Sequence, residues 1–282
     1  MKKRNFLKIR LRVPSEEQDI VSDELVVYGF DGFEQLENEL DAWILEERFT
    51  YGIKTQMEEW LLEQSGGRWY IIGEEILQER NWNEEWEKTI RAQRIGRFFV
   101  HPTWTDETVP EDAIPIAIDP KMAFGTGYHE TTRLLLQQLP IYIRPGDRVL
   151  DMGTGTGILA IAALLLGASE ATGIDIDPWS YDNALENARM NNVAGRLDIR
   201  IGSAESIPPG LTHNVILANI NRNILLDLAS PLIQSLAPGG FLMLSGIMEN
   251  DMEAFYGNPL YSRLEQVALY SENEWRALIY RK

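Results

Sequence analysis

The chain has 282 residues, 44% hydrophobic and 24% charged, which excludes a mostly disordered or collagen-like protein and leaves room for two domains of roughly 100–200 residues. It has no cysteine and only three scattered histidines (His101, His129, His213), which excludes a disulfide scaffold, a cysteine nucleophile, a thiolate metal site and a His-rich metal centre. A net charge of −17 repels phosphate backbones, so nucleic acid is not expected as a direct partner and a basic one is favoured.

The charge is uneven along the chain: +6 over residues 1–12, −16 over 13–90 and −7 over the remainder. Met1-Lys2-Lys3-Arg4 is basic, but no hydrophobic run with a small-residue cleavage site follows it. The longest apolar run, Ile158 to Ala168, falls short of the ~20 residues that span a bilayer. A cytoplasmic protein without a membrane segment is the expectation.

The alternation in Phe6–Val13 predicts a half-buried strand. A helix should follow Pro14, with Ser15 as cap, Glu17 in its first turn and Gly29 as its stop. Strands are expected over Phe33–Leu36, Trp43–Phe49 and Trp69–Ile72, with a second helix over Thr55–Leu62 broken by Gly66-Gly67. The order βαββαβ is that of a ferredoxin-like unit. Asn81–Arg94 reads as a connecting helix with Trp82 and Trp86 on one face.

From about Leu139 strand-like and helical runs alternate. Strands are expected at Asp147–Met152, Ala171–Asp175, Leu197–Ile201, Asn214–Ala218 and Phe241–Ser245. Helices are expected at Gly157–Leu166, Pro178–Asn191 (Asp177 as N-cap, Pro178 at its first position) and Asn223–Leu236, the last ended by Pro238-Gly239-Gly240. Two late strands, Leu264–Ser271 and Trp275–Tyr280, can pair as an antiparallel edge across a turn at Glu272-Asn273. This pattern predicts an α/β fold: an open, mostly parallel sheet with helices on both faces.

The strongest local signal is Val149-Leu150-Asp151-Met152-Gly153-Thr154-Gly155-Thr156-Gly157, a buried strand running into a glycine turn and a helix start. The dinucleotide fingerprint G-x-G-x-x-G would need glycine at 158, which is isoleucine. Asp151, just before the first glycine, would repel a pyrophosphate but not a cation. Asp175 ends the next strand, 22 residues after Gly153, where a carboxylate can accept both hydroxyls of a ribose. A ligand with ribose hydroxyls, a positive centre and no phosphate is S-adenosylmethionine; the competing readings are a structural turn and a nicotinamide site. Asn219, after the fourth strand of this unit, either contacts a ligand or caps the following helix. In the segment 119–132, Phe124 and Met122 can cover an adenosyl group, Thr131 and Thr132 can cap a helix, and His129 reads as a hydrogen-bonded structural histidine.

These stretches together resemble the PrmA family, the bacterial methyltransferases of large-subunit ribosomal protein L11. The resemblance is carried by Asp119-Pro120-x-Met122-Ala123-Phe124-Gly125-Thr126-Gly127-x-His129-x-Thr131-Thr132, the Asp151–Ala163 stretch, Gly173-Ile174-Asp175-Ile176-Asp177-Pro178, Ala218-Asn219-Ile220, Ser245-Gly246-Ile247 and Glu274-Trp275. Asn81-Trp82, Trp86 and Pro102-x-Trp104 also match, so the resemblance covers roughly residues 80–282. It implies a class I methyltransferase domain (Rossmann-like, with a mostly parallel seven-stranded sheet) over 113–282, a linker helix and connecting segment over 79–112, and a small ferredoxin-like substrate-recognition domain over 1–78. It implies S-adenosylmethionine as cofactor, with contacts at Thr132, Gly153, Asp175 and Asn219. Asp151, Gly155 and Phe124 join them from the reading of the residues above, and Asn219 is also the residue expected to position the amine. Two departures, Glu130 where the family usually has Pro and Thr154-Gly155-Thr156 where it usually has Cys-Gly-Ser, bear on loop detail rather than on cofactor type.

The expected chemistry is methyl transfer to amino groups, lysine side chains or the N-terminal amine, of ribosomal protein L11. The alternatives are a methyltransferase acting on another protein or a small molecule, and a non-catalytic ribosome-associated adaptor that binds the cofactor. Glutamine-modifying relatives carry Asn-Pro-Pro-Tyr where this chain has Asn219-Ile220-Asn221-Arg222, which argues against them.

Overall fold

The computed structural model describes residues 5–78, 90–119 and 124–282. The chain divides into two compact units, residues 1–82 and 83–282.

In the first unit, β1 (Asn5–Arg12), α1 (Gln18–Val27), β2 (Gly32–Leu36), β3 (Glu39–Leu45), α2 (Tyr51–Ser65) and β4 (Tyr70–Gln78) follow in the expected βαββαβ order. The strands form one antiparallel sheet in the order β2-β3-β1-β4. Period-2 alternation puts Ile9, Leu11, Leu40, Ala42 and Ile44 on the face that packs against Val21, Leu25, Met57 and Leu61 of the two helices. Ser15 does not cap α1. It lies in a short 3-10 turn, and Glu17 occupies the N-cap position without a side-chain cap bond. The Glu17 carboxylate is taken instead by Trp69 Nε1 and Arg68. The second helix is longer than the sequence suggests, because Thr50 caps it by accepting from Ile53 N, and it ends at Gly66 in the left-handed region, φ 62°.

The second unit opens with a small sheet, β5 (Gln93–Ile95), β6 (Phe98–His101) and β7 (Ile114–Ala117), in that order. The expected connecting helix through Arg94 is therefore corrected at its end: a hairpin turn at Gly96, φ 56°, pairs Gln93–Ile95 with Phe98–Val100. Residues 81–89 of that expectation, with Trp82 and Trp86, lie outside the described residues.

The remainder comprises α3 (Glu130–Tyr142), β8 (Arg148–Met152), α4 (Ile158–Leu165), β9 (Glu170–Asp175), α5 (Pro178–Met190), β10 (Leu197–Ile201), β11 (His213–Asn219), α6 (Arg222–Asp227), α7 (Ala229–Ser235), β12 (Leu236–Met248), α8 (Met252–Tyr256), β13 (Glu265–Glu272) and β14 (Trp275–Arg281). Seven strands form one sheet in the order β10-β9-β8-β11-β12-β14-β13. The first five are mutually parallel, and β14, antiparallel to both its neighbours β12 and β13, is the one strand of this sheet that runs the other way. Val149, Val215 and Leu217 face one buried cluster with α3, α4 and α5, and Leu150, Ile216 and Ala218 face the other with α6, α7 and α8. This is the class I methyltransferase architecture, with both faces of the sheet covered.

The helix expected over Asn223–Leu236 is two helices meeting at Leu228. Pro231 explains the break: it has no N–H for the Asp227 carbonyl, and its ring crowds that position. Among the described residues no helix is long and apolar enough to cross a membrane.

The strand order reverses at β8, whose neighbours are β9 on one side and β11 on the other. In open α/β sheets ligands bind beyond the carboxyl ends of strands at such a switch. Gly153, Asp175 and Asn219 stand at or just past those ends.

Candidate active site

The glycine turn is held between two neighbours that leave no room for side chains. A Cβ on Gly153, φ 73°, would lie 2.2 Å from Ile220 Cγ2, and one on Gly155, φ 53°, would lie 2.3 Å from the Phe124 carbonyl oxygen. Both positions thus need glycine for space as well as for backbone angle. Gly153 N and Thr154 N donate to the Ile174 carbonyl at 2.8 and 3.1 Å, which fixes the turn to the end of β9.

Asp151 is 1% exposed. Its Oδ2 accepts from Thr154 Oγ1 at 2.8 Å and from Ala160 N at 3.3 Å, whereas Oδ1 has no hydrogen-bond partner among the described residues. Burial pushes its carboxyl up to about 7, against the pull of those two donors and with a smaller push from the Asp175 charge. A buried carboxylate with one open oxygen is the acceptor that a cationic ligand needs.

Asp175 is half-buried, and its carboxylate already anchors backbone: Oδ2 accepts from Gly155 N at 2.8 Å and Oδ1 from Asp177 N at 3.1 Å. Each oxygen has a second lone pair for a hydroxyl donor. The residue therefore shapes the glycine turn, a role that sequence reasoning missed. Beside it Ile176 is 71% exposed and Ile201, at the end of β10, is 50% exposed. These side chains offer apolar surface for an aromatic base, and sequence reasoning did not single them out.

Asn219 and Thr132 meet: Asn219 Nδ2 donates to Thr132 Oγ1 at 3.1 Å. Asn219 does not cap the next helix; Asn221 does, accepting from Ile224 N at 3.2 Å. Thr131 and Thr132 do not cap α3 either. His129 occupies the N-cap position and its Nδ1 accepts from Thr131 N at 3.3 Å. The His129 ring lies between two aromatics, 5.4 Å from Phe124 and 4.9 Å from Trp275, centroid to centroid. Phe124 is 54% exposed, and its carbonyl accepts from Thr156 N at 2.9 Å, which binds it to the glycine turn. Met122 lies outside the described residues.

All seven residues singled out from the sequence (Phe124, Thr132, Asp151, Gly153, Gly155, Asp175 and Asn219) thus stand in one connected group at the carboxyl edge of the sheet. The donor set fits S-adenosylmethionine: an open oxygen on a buried acid for a cation, lone pairs on Asp175 for ribose hydroxyls, and exposed isoleucines for adenine.

The family model described as Ribosomal protein L11 methyltransferase (PrmA) matches residues 6–282. A Ribosomal protein L11 methyltransferase of Porphyromonas gingivalis is 41% identical over 267 residues, covering 92% of this chain and 89% of its own length. One from Syntrophotalea carbinolica is 36% identical over 309 residues, covering 98% of each. The crystal structure of a ribosomal protein L11 methylase from Lactobacillus delbrueckii subsp. bulgaricus superposes with a TM-score of 0.63 at 30% identity, over 68% of this chain and 100% of that one.

Proposed function

The chain belongs to the ribosomal protein L11 methyltransferase (PrmA) family, and from that membership we propose that it methylates amino groups of ribosomal protein L11, using S-adenosylmethionine, in the cytoplasm. The acceptors are lysine side chains or the N-terminal amine. The observation that carries the reading is the glycine turn set between two carboxylates, one of them buried with an open oxygen.

Asp175 would hold the ribose hydroxyls, Asp151 would face the positive end of the cofactor, and Gly153 and Gly155 would let it approach the backbone. When bound, S-adenosylmethionine supplies an electrophilic methyl group on a sulfonium. The protein's task is then alignment, since an in-line displacement gains more from held geometry than from acid–base help. A lysine attacks only as the neutral amine, and its ordinary pKa is ~10.4. A pocket that excludes water lowers that value by disfavouring the ammonium. Phe124, His129 and Trp275, whose rings lie against one another, would form one wall of such a pocket. Asn219, with one Nδ2 N–H on Thr132, would use Oδ1 as an acceptor for an amine N–H.

The direct test is incubation of the protein with methyl-labelled S-adenosylmethionine and purified ribosomal protein L11. Label should enter that protein. Label in another substrate alone points to a different acceptor, and cofactor binding without transfer points to an adaptor.

We assign substrate choice to residues 1–78 and cofactor binding to the second unit. A fragment of residues 83–282 should keep cofactor affinity and lose methylation of the intact ribosomal protein. Methylation by the fragment as fast as by the full chain would remove the recognition role from the first unit.

Attraction of the substrate should depend on salt. Residues 13–90 carry −16, and a lysine-rich ribosomal protein is drawn to them. Surface fields are screened over ~8 Å at physiological ionic strength. The second-order rate on L11 should therefore fall from ~20 to ~300 mM salt, while cofactor affinity changes little. A flat rate profile would mean that the acidity does not steer the substrate.

A further inference from the structure

One face of α5 carries a ladder of asparagines at four-residue spacing: Asn183, Asn187 and, just past its end, Asn191. A polar stripe on a helix ordinarily faces water, yet Asn183 and Asn187 are 2% and 0% exposed. Their amides serve the backbone of residues 117–119 as a partner strand would. Asn191 accepts from Ala117 N at 2.9 Å and donates to Ala117 O at 2.7 Å. Asn187 accepts from Asp119 N at 3.1 Å, and Asn183 donates to Asp119 O at 2.7 Å.

Asn187 alone of the three also reaches the glycine turn. Its Nδ2 donates to the Thr156 carbonyl at 2.9 Å. Thr156 in turn holds the aromatic side of the site, through its N–H on the Phe124 carbonyl at 2.9 Å and its Oγ1 on the Gly125 carbonyl at 2.6 Å. One buried amide therefore joins Asp119 to the turn that carries Gly155 and holds the Phe124 carbonyl.

We propose that Asn187 is a positioning residue for methyl transfer: it touches neither cofactor nor amine, but sets the glycine turn, through Thr156, in the conformation that receives the cofactor. The proposal rests on the reading of this site as the S-adenosylmethionine site. Asn191 is its natural control. Its side chain makes three hydrogen bonds, the third to the Asn187 carbonyl at 2.8 Å, as does that of Asn187, whose third is to Asn183 Oδ1 at 3.4 Å, but none of those of Asn191 goes to the turn. Asn187 is fully buried and Asn191 partly so, so the stability of each variant is measured alongside, and the two are told apart by turn geometry.

The test compares Asn187→Ala and Asn191→Ala in the full chain. Two quantities are read: affinity for S-adenosylmethionine by calorimetry, and amide hydrogen exchange of the segment 153–157 without ligand. Asn187→Ala should weaken binding about tenfold, the scale of one lost buried hydrogen bond, and speed exchange in the turn. Asn191→Ala should stay within about twofold in affinity, well under the 1.4 kcal/mol that a tenfold change represents, and leave turn exchange unchanged. Equal effects of the two variants, or native behaviour of Asn187→Ala, would overturn the proposal. If Asn187→Ala does not fold, Asn187→Ser, which keeps a hydroxyl but reaches neither backbone partner, takes its place. Failure of both while Asn191→Ala folds would show a purely structural role and overturn it as well. If the unmutated protein binds no S-adenosylmethionine, the functional reading fails, and the exchange comparison still judges Asn187.

Discussion

Replacing Asp175 with alanine should weaken S-adenosylmethionine binding by about two to four orders of magnitude in a protein that still folds. On the proposed reading, two hydrogen bonds that ribose hydroxyls would make to this carboxylate are lost, each worth roughly 1.5–3 kcal/mol, and ~1.4 kcal/mol is a factor of ten. The same carboxylate holds Gly155 N and Asp177 N, so the turn loses part of its support along with the ligand contact. The loss should appear in the dissociation constant from calorimetric titration, with circular dichroism confirming the fold. Unchanged affinity in a folded variant would remove Asp175 from the cofactor site.

Asp151→Asn should have opposite effects on stability and on binding. The native carboxyl is held up to about 7, above its ordinary range near 3.8, because it is buried with one oxygen unpartnered. Between those values the unfolded chain has released the proton and the folded chain keeps it. Stability therefore falls as pH rises from about 4 to about 7, and the full cost is present above that range. Asparagine imitates the neutral acid and can still accept from Thr154 and Ala160. The variant should match the parent near pH 4 and exceed it by a few kcal/mol at pH 8, as read from urea unfolding. Cofactor affinity should fall, because the cationic ligand loses its charged partner. The parent's affinity should also rise with pH towards 8, since a cation favours the ionised carboxyl. A stability difference that does not change with pH, or native cofactor affinity in the variant, would contradict this account of Asp151.

The parts of the site legible in the sequence were those where backbone geometry dictates residue type. The glycines of 153–157, the acid ending β9 and the Asp177-Pro178 helix start each have a local reason, and strand-like runs alternating with helical ones from about Leu139 locate the sheet. What was not legible depended on distant partners. Asp175 was read as a ligand contact, but its bonds to Gly155 and Asp177 need the folded turn. Thr131 and Thr132 were better cap types than His129, yet His129 takes the position and packs between Phe124 and Trp275. The asparagines at 183, 187 and 191 have helical spacing, but only the chain at 117–119 gives them a buried role. The strands β5 and β6 are too short to show alternation, so a hairpin at Gly96 was hidden inside what reads as the end of a helix. Pro231 stands in the sequence, but the helical spacing that continues on both sides of it hides the break at Leu228, three residues before it.

On the proposed function, this site moves a methyl group to an amine of ribosomal protein L11. The most direct measurement is tandem mass spectrometry of that protein after reaction with the full chain and S-adenosylmethionine, locating each added methyl. Methyl groups are expected on lysine Nζ or on the N-terminal nitrogen, and none when Asp175→Ala replaces the native enzyme at limiting cofactor. Methylation confined to glutamine amides, or an unmodified ribosomal protein in the presence of bound cofactor, would contradict it.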